Sequence, residues 1–557
     1  MAAGSPLRRP VVAALVCFAL ALPVLAVLKS HSAPHYAISH AEATKIARSD
    51  PRVAKDLAEA GYTKVRVSPF DDQQQRVSFF NGPRIVLHAL VGPQPKVSKI
   101  AVRYPGTPQS GNTTANAPAL LIGMSLLFVL VMASVPLLSL RNLDVLAFAS
   151  LTLPVWLLNE GLIYASVLVT YPLLAYLVAR LLWSGLGGAR APARSSLYWH
   201  LTTDWRPSER GRLLKLVLAG LALGTTILTL GSTGVSDVAF AGLAGATDLI
   251  HGTIPYGHIP DFIVHGDTYP PLTYVLYIPA AAISPVTNLF SDPEGALVLT
   301  AVATLLVAWL LNRAVARAPR EDPDASGSEP PGISGLRAAT AWLAYPPVLL
   351  AASSGTNDIL LAVFLVAALA SLVHRGRSAV YLAVAAWVKF VPVVVMPIWL
   401  ARLRGRQLVE ALAGVAALSF VVLGSLVALG GPGSLSAMAQ ALSFQFGRGS
   451  LSSLWWGLDS FQPAAQAALL AVVVAATLAV RQDDRLRDDL PRLAAILAGV
   501  LLLTQFAANY WTWAYLPWAI APALFVLVPA HEALQPERAA EWTQVRAQDP
   551  KQFSGTY

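Results

Sequence analysis

The sequence predicts an all-α polytopic membrane protein with a small α+β module near its N-terminus. Of the 557 residues, 55% are hydrophobic and only 13% are charged, and the mean hydropathy is +0.56. Long uncharged runs recur along the chain, as in membrane helices, whereas a membrane barrel would show short alternating segments. We therefore expect about 13 transmembrane helices together with re-entrant or interfacial helices.

The charge pattern argues against a nucleic-acid partner. A net charge of +9 would suggest nucleic-acid binding in a soluble protein. Here the basic residues lie mostly in loops between apolar runs, where they orient membrane helices. We therefore expect membrane lipid around the chain and no nucleic acid. The only cysteine is Cys17, so no disulfide can form within the chain.

Residues 1–28 are interpreted as an N-terminal membrane anchor. Arg8 and Arg9 precede an apolar run that ends at Leu28, a pattern that also fits a secretory signal peptide. The length of the run and the poor cleavage site that follows it favour an uncleaved anchor.

Residues 29–117 form the only sizeable soluble section, and they predict an extracytoplasmic α+β module. Ser39 and Glu42 have the spacing of a capping box at the start of a helix that runs to about Gly61. Four short runs rich in β-branched and aromatic residues follow, with Gly-Pro turns among them. A helix followed by a small antiparallel sheet is similar to PepSY-like or cystatin-like modules.

Residues 118–212 are interpreted as accessory transmembrane helices followed by a cytoplasmic linker. Five arginines lie between residues 184 and 212. Because Lys and Arg favour cytoplasmic loops, we expect this linker inside and the loop 231–272, which has no Lys or Arg, outside. The apolar runs of this part lie at 118–139, 143–158 and 161–183, and another at 213–230 follows the linker.

Residues 213–530 are interpreted as the main membrane core. The basic segment 312–336 and both flanks of the run 378–401 should lie inside. The run 269–283 is then a re-entrant or interfacial helix, and 378–401 is a pair of short helices. Their break near Lys389 would hold that lysine at depth, facing a cavity that opens outward. Further spans are expected at 407–429, 462–480, 491–508 and 514–530, before a cytoplasmic tail at 531–557.

The outer loop 231–272 carries the leading candidate for chemistry, Asp237. This carboxylate lies within a turn or two of the end of a membrane helix, where an enzyme acting on a lipid-linked substrate needs a base. The alternative is that Asp237 caps a helix that begins at Val238. The other carboxylates of this loop are expected to have supporting roles: Asp248, Asp261 and Asp267.

Three histidines in the same loop raise the question of a metal site. His251, His258 and His265 recur every seven residues beside acidic residues. Gly257 and Pro260 argue against one continuous helix that would align them. We therefore expect no metal ligands and no cofactor, with a bound divalent cation as the alternative.

Short motifs in a fixed order resemble those of glycosyltransferase family 87, within the GT-C superfamily of integral-membrane enzymes. The resemblance extends over residues 213–530 and does not reach the first 200 residues. The motifs are Asp237, Gly252–Tyr256, Tyr269–Leu272, Gly355–Asp358, which is similar to Gly-x-Asn-Asp, and Trp387–Pro392, which is similar to Lys-x-x-Pro.

This resemblance implies a GT-C-like fold and transfer of a sugar, with inversion, from a polyprenyl-phosphate donor. The acceptor would be a lipid or a glycan on the extracytoplasmic face of the cell membrane. Asp237 matches the position of the family's catalytic base. Mannose is the preferred sugar, and arabinofuranose is the alternative.

The leaving phosphate in such a transfer needs fixed positive charge, which acts most strongly in a water-poor cavity. Lys389 and Arg448 are the candidates. Lys389 could instead only extend to an interface, and Arg448 could be an ordinary loop charge. One carboxylate is sufficient as the base, because a sugar phosphate leaves without an acid catalyst.

Four further residues are candidates for substrate binding. Tyr256 and Tyr269 could stack on sugar or isoprenoid, or belong to an interfacial aromatic belt. Asn357 and Asp358 lie in the Gly-x-Asn-Asp motif, and the alternative is that they cap a helix that begins at Ile359.

Two other functions compete with the enzyme hypothesis. A non-catalytic lipid or polysaccharide transporter would use the same cavity, but the clear internal repeats of many transporters are missing from this sequence. A scaffold would use the module at 29–117 to bind a partner.

Overall fold

The computed structural model describes most of the chain between residues 24 and 528. The predicted anchor up to residue 23 and the predicted tail at 531–557 lie outside the described residues. The described part is mainly helical with one small antiparallel sheet near the N-terminus, as the sequence predicts. The described residues are 24–27, 29, 36–70, 73–81, 84–102, 117–160, 162–187, 196–202, 205–232, 234–260, 263, 266–287, 291–317 and 331–528.

The N-terminal module packs two helices on one face of a four-stranded antiparallel sheet with the order β1-β2-β3-β4. The predicted cap is confirmed, since Ser39 Oγ accepts the Glu42 N–H at 3.2 Å. The predicted single helix is instead two, because Pro51 starts a new helix that Asp50 caps. The elements are α1 (His40–Ser49), α2 (Pro51–Ala60), β1 (Lys64–Pro69), β2 (Gln75–Asn81), β3 (Arg84–Val91) and β4 (Val97–Val102).

The two faces of this sheet differ in polarity because successive side chains alternate across a strand. Val77 and Phe79 of β2 are buried in one cluster with residues of both helices. On the other face, the register aligns Arg66, Ser78 and His88 in one row across three strands. Hydrophobic packing therefore fixes which face of the sheet is polar.

The rest of the described chain is helical. The helices are α3 (Pro118–Met132), α4 (Leu140–Ser150), α5 (Thr152–Asn159), α6 (Ile163–Leu186), α7 (Leu197–Leu201), α8 (Pro207–Leu230), α9 (Asp237–Ile250), α10 (Pro271–Ala281), α11 (Glu294–Ala316), α12 (Pro331–Ala344), α13 (Pro346–Ser353), α14 (Asn357–Ala370), α15 (Arg375–Val388), α16 (Met396–Ala401), α17 (Gly405–Gly430), α18 (Gly433–Gly447), α19 (Gln462–Gln482), α20 (Leu490–Ala507) and α21 (Leu516–Leu527). Short 3₁₀ helices lie at Val391–Val395, Asp459–Phe461, Leu486–Asp488 and Trp513–Tyr515.

Seven stretches of the described residues are long and apolar enough to cross a membrane. Shorter apolar helices, such as α10 and α14, lie between them. The chain is therefore a membrane protein, and the total of about 13 crossings stays a prediction. The seven stretches are Leu140–Asn159, Ile163–Leu186, Ser208–Leu230, Glu294–Ala316, Gly405–Gly430, Asp459–Gln482 and Leu490–Ala507.

The accessory helices share one hydrophobic core with the rest of the membrane region. The Tyr345 hydroxyl donates to the Phe148 carbonyl at 3.1 Å, which joins α4 to the residue between α12 and α13. Arg337 is fully buried, and its Nε and Nη2 donate to the Val131 carbonyl at 2.9 and 2.7 Å. Arg337 directly follows the basic segment 312–336 in sequence, yet its side chain is inside the protein, where it complements the carbonyl end of α3.

Both predictions of short or broken helices are confirmed. Helix α10 has 11 residues and extends roughly 16 Å, about half the thickness of a bilayer core. Helix α15 ends at Val388, Lys389 is extended, and a 3₁₀ helix starts at Val391. Pro392 lacks the N–H that a continuous helix would use, which favours the break at this position.

Helix α18 lies outside every predicted span. It occupies the segment between the spans predicted at 407–429 and 462–480, has 15 residues and ends at Gly447. Arg448 directly follows it, where a cation complements the carbonyl end of the helix.

Candidate functional site

Asp237 is the first residue of α9, and Ser236 occupies the cap position. Asp237 Oδ1 accepts the Val238 N–H at 3.0 Å, and the side chain is exposed. The capping alternative is thus only partly supported, since the Ser236 hydroxyl makes no capping bond and α9 starts one residue before the predicted Val238. The carboxylate remains accessible to a substrate.

Two glycines hold α9 close to the short helix α10. A Cβ atom at Gly245 would lie 2.2 Å from Tyr274 Cδ1, and one at Gly242 would lie 2.9 Å from the Tyr277 ring. Only glycine permits this approach, so the pair fixes the position of α9 and of the carboxylate at its start.

A tight turn brings the Gly-x-Asn-Asp motif to the start of α9. Gly355 has φ +68°, and a Cβ there would lie 2.9 Å from the Ala239 Cβ. The Ser236 N–H donates to the Ser354 carbonyl at 2.9 Å, and the Tyr277 hydroxyl donates to the Gly355 carbonyl at 2.8 Å. The glycine of the motif is therefore required by backbone geometry and by close packing.

Asn357 and Asp358 make tertiary contacts rather than capping their own helix. Asp358 Oδ1 accepts from Lys389 Nζ at 2.6 Å and from Trp518 Nε1 at 2.7 Å. Asn357 Nδ2 donates to Thr273 Oγ1 at 3.4 Å, which links α14 to α10. Helix α14 begins at Asn357 without a side-chain cap, so the structure does not support the capping alternative.

Lys389 lies in an enclosed cationic site. Its side chain is 14% exposed and its Asp358 partner 1%. Lys389 Nζ also lies 4.7 Å from the ring centre of Tyr515 and 5.0 Å from that of Trp518, and these two rings stack at 4.2 Å. Cation–π contact and the ion pair together hold the ammonium group. Sequence reasoning did not identify Tyr515 and Trp518, because no local pattern links them to a lysine more than 120 residues away.

Arg448 differs from Lys389 because its side chain is half-buried and its described contacts are with neutral groups. Its guanidinium carbon lies 3.4 Å from the ring centre of Tyr510, and Nη1 donates to Gln445 Oε1 at 3.1 Å. Burial raises the pKa of Tyr510, so this hydroxyl stays protonated near neutral pH. A guanidinium has five N–H donors, so Arg448 can hold Gln445 and still bind an anion.

The two predicted tyrosines lie at different depths. Tyr256 is 2% exposed and donates its hydroxyl to the Tyr269 carbonyl at 2.9 Å. Tyr269 is half-buried. Gln445 donates to Thr268 beside it at 2.9 Å, which ties α18 to this loop. Tyr256 therefore supports the position of Tyr269, and a direct substrate contact remains a prediction for both.

Direct contacts connect the start of α9 to four other parts of the chain. The Ser236 N–H donates to the Ser354 carbonyl at the turn before Asp358, and Asp358 pairs with Lys389, whose Nζ lies 4.7 Å from the Tyr515 ring centre. The Tyr515 ring lies 6.2 Å from that of Tyr510, and Arg448 contacts Tyr510 at 3.4 Å and reaches Thr268, the neighbour of Tyr269, through Gln445. The site thus combines an exposed carboxylate with two cations and several phenols. This arrangement can accept a proton and stabilise a departing anion.

The described residues contain no cluster of three or more His, Cys, Asp or Glu side chains arranged to hold a metal ion. His251 Nδ1 and His258 Nδ1 lie 2.8 and 3.1 Å from the backbone carbonyls of Thr247 and Tyr256. His265, like Asp261, lies outside the described residues. The absence of a cofactor stays a prediction.

Comparison with known proteins identifies one family. The model of glycosyltransferase family 87 matches residues 268–507. The matched segment includes Tyr269, Asn357, Lys389 and Arg448, and it begins after Asp237. Neither a curated protein nor a solved structure matches the chain.

Proposed function

We propose that this chain, a membrane glycosyltransferase of family 87 by its residues 268–507, transfers a sugar from a polyprenyl-phosphate donor to a lipid or glycan acceptor. The transfer proceeds with inversion on the extracytoplasmic face of the cell membrane. Mannose is the preferred sugar, with polyprenyl-phosphate arabinofuranose as the alternative donor.

Asp237 acts as the general base in this proposal. The acceptor oxygen forms a bond to the anomeric carbon while the bond from that carbon to the phosphate oxygen breaks. The bonding electrons leave with the polyprenyl phosphate, and Asp237 takes the proton of the acceptor hydroxyl. One carboxylate is enough for this chemistry, in contrast to glycoside hydrolysis.

The observation that carries the proposal is the convergence of Asp237 with two cations in one site. Arg448 is the better contact for the departing phosphate, because its planar guanidinium can bind two phosphate oxygens at once. Lys389 already neutralises Asp358 at 2.6 Å. Its ammonium group therefore adds positive potential behind the phosphate and holds the α14–α15 geometry.

The test is a transfer assay on the purified full chain in lipid nanodiscs with labelled polyprenyl-phosphate mannose and, separately, polyprenyl-phosphate arabinofuranose. Asp237→Asn should lower kcat by about 10²- to 10⁴-fold, the usual contribution of a general base, without changing thermal stability. Asp292→Asn is the matched control, since Asp292 is an exposed carboxylate just before α11 whose Oδ1 accepts the Glu294 N–H at 3.1 Å, a bond that the Asn side-chain oxygen can also accept. Full activity of Asp237→Asn would refute the assignment of the base.

A further inference from the structure

The N-terminal module and the membrane core together line a partly open cavity. The cavity has a volume of about 610 Å³, within the usual range for small-molecule sites. Its roof is the polar face of the module sheet, formed by Arg66, Ser68, Arg76, Ser78, Phe80 and His88. Its floor is part of the core, formed by Arg448, Ser450, Trp456, Tyr510 and Trp513.

The alternation of side chains along the strands explains why the roof is polar. Strand alternation directs Val77 and Phe79 toward the module helices and leaves the neighbouring Arg76 and Ser78 on the cavity side. Ser78 Oγ lies 2.8 Å from His88 Nδ1, so these two groups are aligned by a hydrogen bond.

Direct bonds fix the roof to the core. Arg66 Nη2 pairs with Glu160 Oε2 at 2.6 Å, and Arg66 Nη1 donates to the Asn159 carbonyl at 3.0 Å. Lys29, the first residue of the predicted module, donates to the carbonyls of Ser453 and Trp456 at 3.0 and 2.8 Å. The cavity therefore has a defined shape.

The charge of the cavity is one-sided. Among the described residues that line it are three arginines and a histidine, and no aspartate or glutamate. Glu160 neutralises Arg66. Arg76 on the roof and Arg448 on the floor supply positive charge from opposite walls. Each guanidinium lies beside an aromatic ring: the Arg76 guanidinium carbon is 5.0 Å from the ring centre of Phe70, and that of Arg448 is 3.4 Å from the ring centre of Tyr510.

We propose that this cavity binds an anionic saccharide, with Arg76 on its phosphate or carboxylate and the aromatic rings against its sugar faces, while Arg448 at the floor binds the donor phosphate. The planar guanidinium of arginine binds two oxygens of a carboxylate or a phosphate with paired hydrogen bonds, while tryptophan and phenylalanine supply apolar surface for a sugar ring. This inference rests on the proposed function in one respect: if the chain transfers a sugar, the bound saccharide is the head group of the acceptor. Arg448 and Tyr510, which the cavity shares with the Asp237 site, bring an acceptor hydroxyl beside the base.

The binding test uses calorimetry on the full chain with glucose 6-phosphate as the probe and with glucose and inorganic phosphate for comparison. The sugar phosphate should bind at least ten-fold more tightly than either. Arg76→Gln should weaken its binding by about ten- to hundred-fold, as expected for loss of a charge-assisted hydrogen bond. Lys55→Gln, which removes one charge from the exposed helical side of the same module, should leave binding unchanged.

Each further outcome decides for or against the inference. Unchanged binding in Arg76→Gln, or equal binding of glucose or of inorganic phosphate, overturns it. Arg76→Lys keeps the charge but loses the paired hydrogen bonds, so it should weaken binding less than Arg76→Gln but still measurably. It tests the inference where the Gln variant does not fold, and unchanged binding in Arg76→Lys would also count against the inference. Displacement of the probe by saturating polyprenyl phosphate would place it in the donor site and would also overturn the inference.

The binding assay tests this inference, and the transfer assay tests the proposed function, so the failure of one can be told from the failure of the other. A chain that transfers no sugar yet binds the probe through Arg76 refutes the proposed function and keeps this inference. A chain that transfers sugar, but whose KM for an anionic acceptor is unchanged by Arg76→Gln, keeps the proposed function and refutes this inference.

Discussion

The buried ion pair of Lys389 and Asp358 offers the sharpest test of the core structure. Lys389→Gln leaves the carboxylate of Asp358 without its cation, and Asp358→Asn leaves the ammonium group without its anion. Both side chains are largely enclosed, at 14% and 1% exposure, so solvent cannot replace the lost partner. Each single substitution should therefore destabilise the protein strongly, and the double substitution should cost less than the sum.

The size of the effect follows from the geometry. At a separation of 2.6 Å and an effective dielectric constant of about 20, the gross attraction of the pair is about 6 kcal/mol. Desolvation of both charges offsets part of it, and breaking a buried pair typically costs about 3–5 kcal/mol. We expect each single variant to lose an amount of that order and the double variant to recover most of it.

The assay is a double-mutant cycle by thermal unfolding of the chain in detergent. The control cycle uses Arg406 and Glu410, which pair at a similar 2.7 Å but are 91% and 55% exposed. That surface pair should couple by roughly 0.5 kcal/mol or less. Additive losses at Lys389 and Asp358, or coupling no larger than in the control, would refute the reasoning from burial.

Two further predictions concern packing and pH. Gly245→Ala places a Cβ 2.2 Å from a tyrosine ring atom of α10 and should destabilise by about 1–3 kcal/mol, whereas Gly220→Ala, in open space on α8, should not lower the unfolding temperature. Equal unfolding temperatures for the two would contradict the close packing of α9. The hydrogen bond from Arg52 to Asp50 holds the pKa of the Asp50 carboxyl below its ordinary value. The ionised carboxyl therefore stabilises α2 fully at pH values above its ordinary pKa. This stabilisation is lost as the pH falls through the lowered pKa of the folded state. Asp50→Ala should thus weaken amide protection in α2 at pH 7 by about 1 kcal/mol, and a difference that persists at pH 2 would show that its charge is irrelevant.

Local patterns predict local structure well in this chain. The cap at Ser39, the four strands and the helix break at Lys389 all follow from residue types within a few positions of each other. Gly355 and Asp358 were also found from a short motif, because a turn with positive φ and the helix after it are encoded side by side. The helix α18 was missed because its Ser- and Gln-containing sequence lacks a strong apolar run.

Partners distant in sequence could not be predicted. Asp358 receives its bonds from Lys389 and from Trp518, 31 and 160 positions away. The sequence assigned Lys389 to a substrate phosphate from its charge and its place at the helix break, without the carboxylate that faces it. The roles of the site residues stay predictions, and the structure limits which of them can reach a ligand.

The sequence by itself determined the membrane class, the strands of the module and the position of Asp237 shortly after a membrane helix, because hydropathy and residue propensity are local properties. Tertiary structure alone decided that Asp237, Arg448 and Tyr510 share one site. It also decided that the polar row of the sheet, with Arg76 beside it, faces the membrane core across a cavity. These juxtapositions depend on packing between segments hundreds of residues apart, which no local pattern encodes.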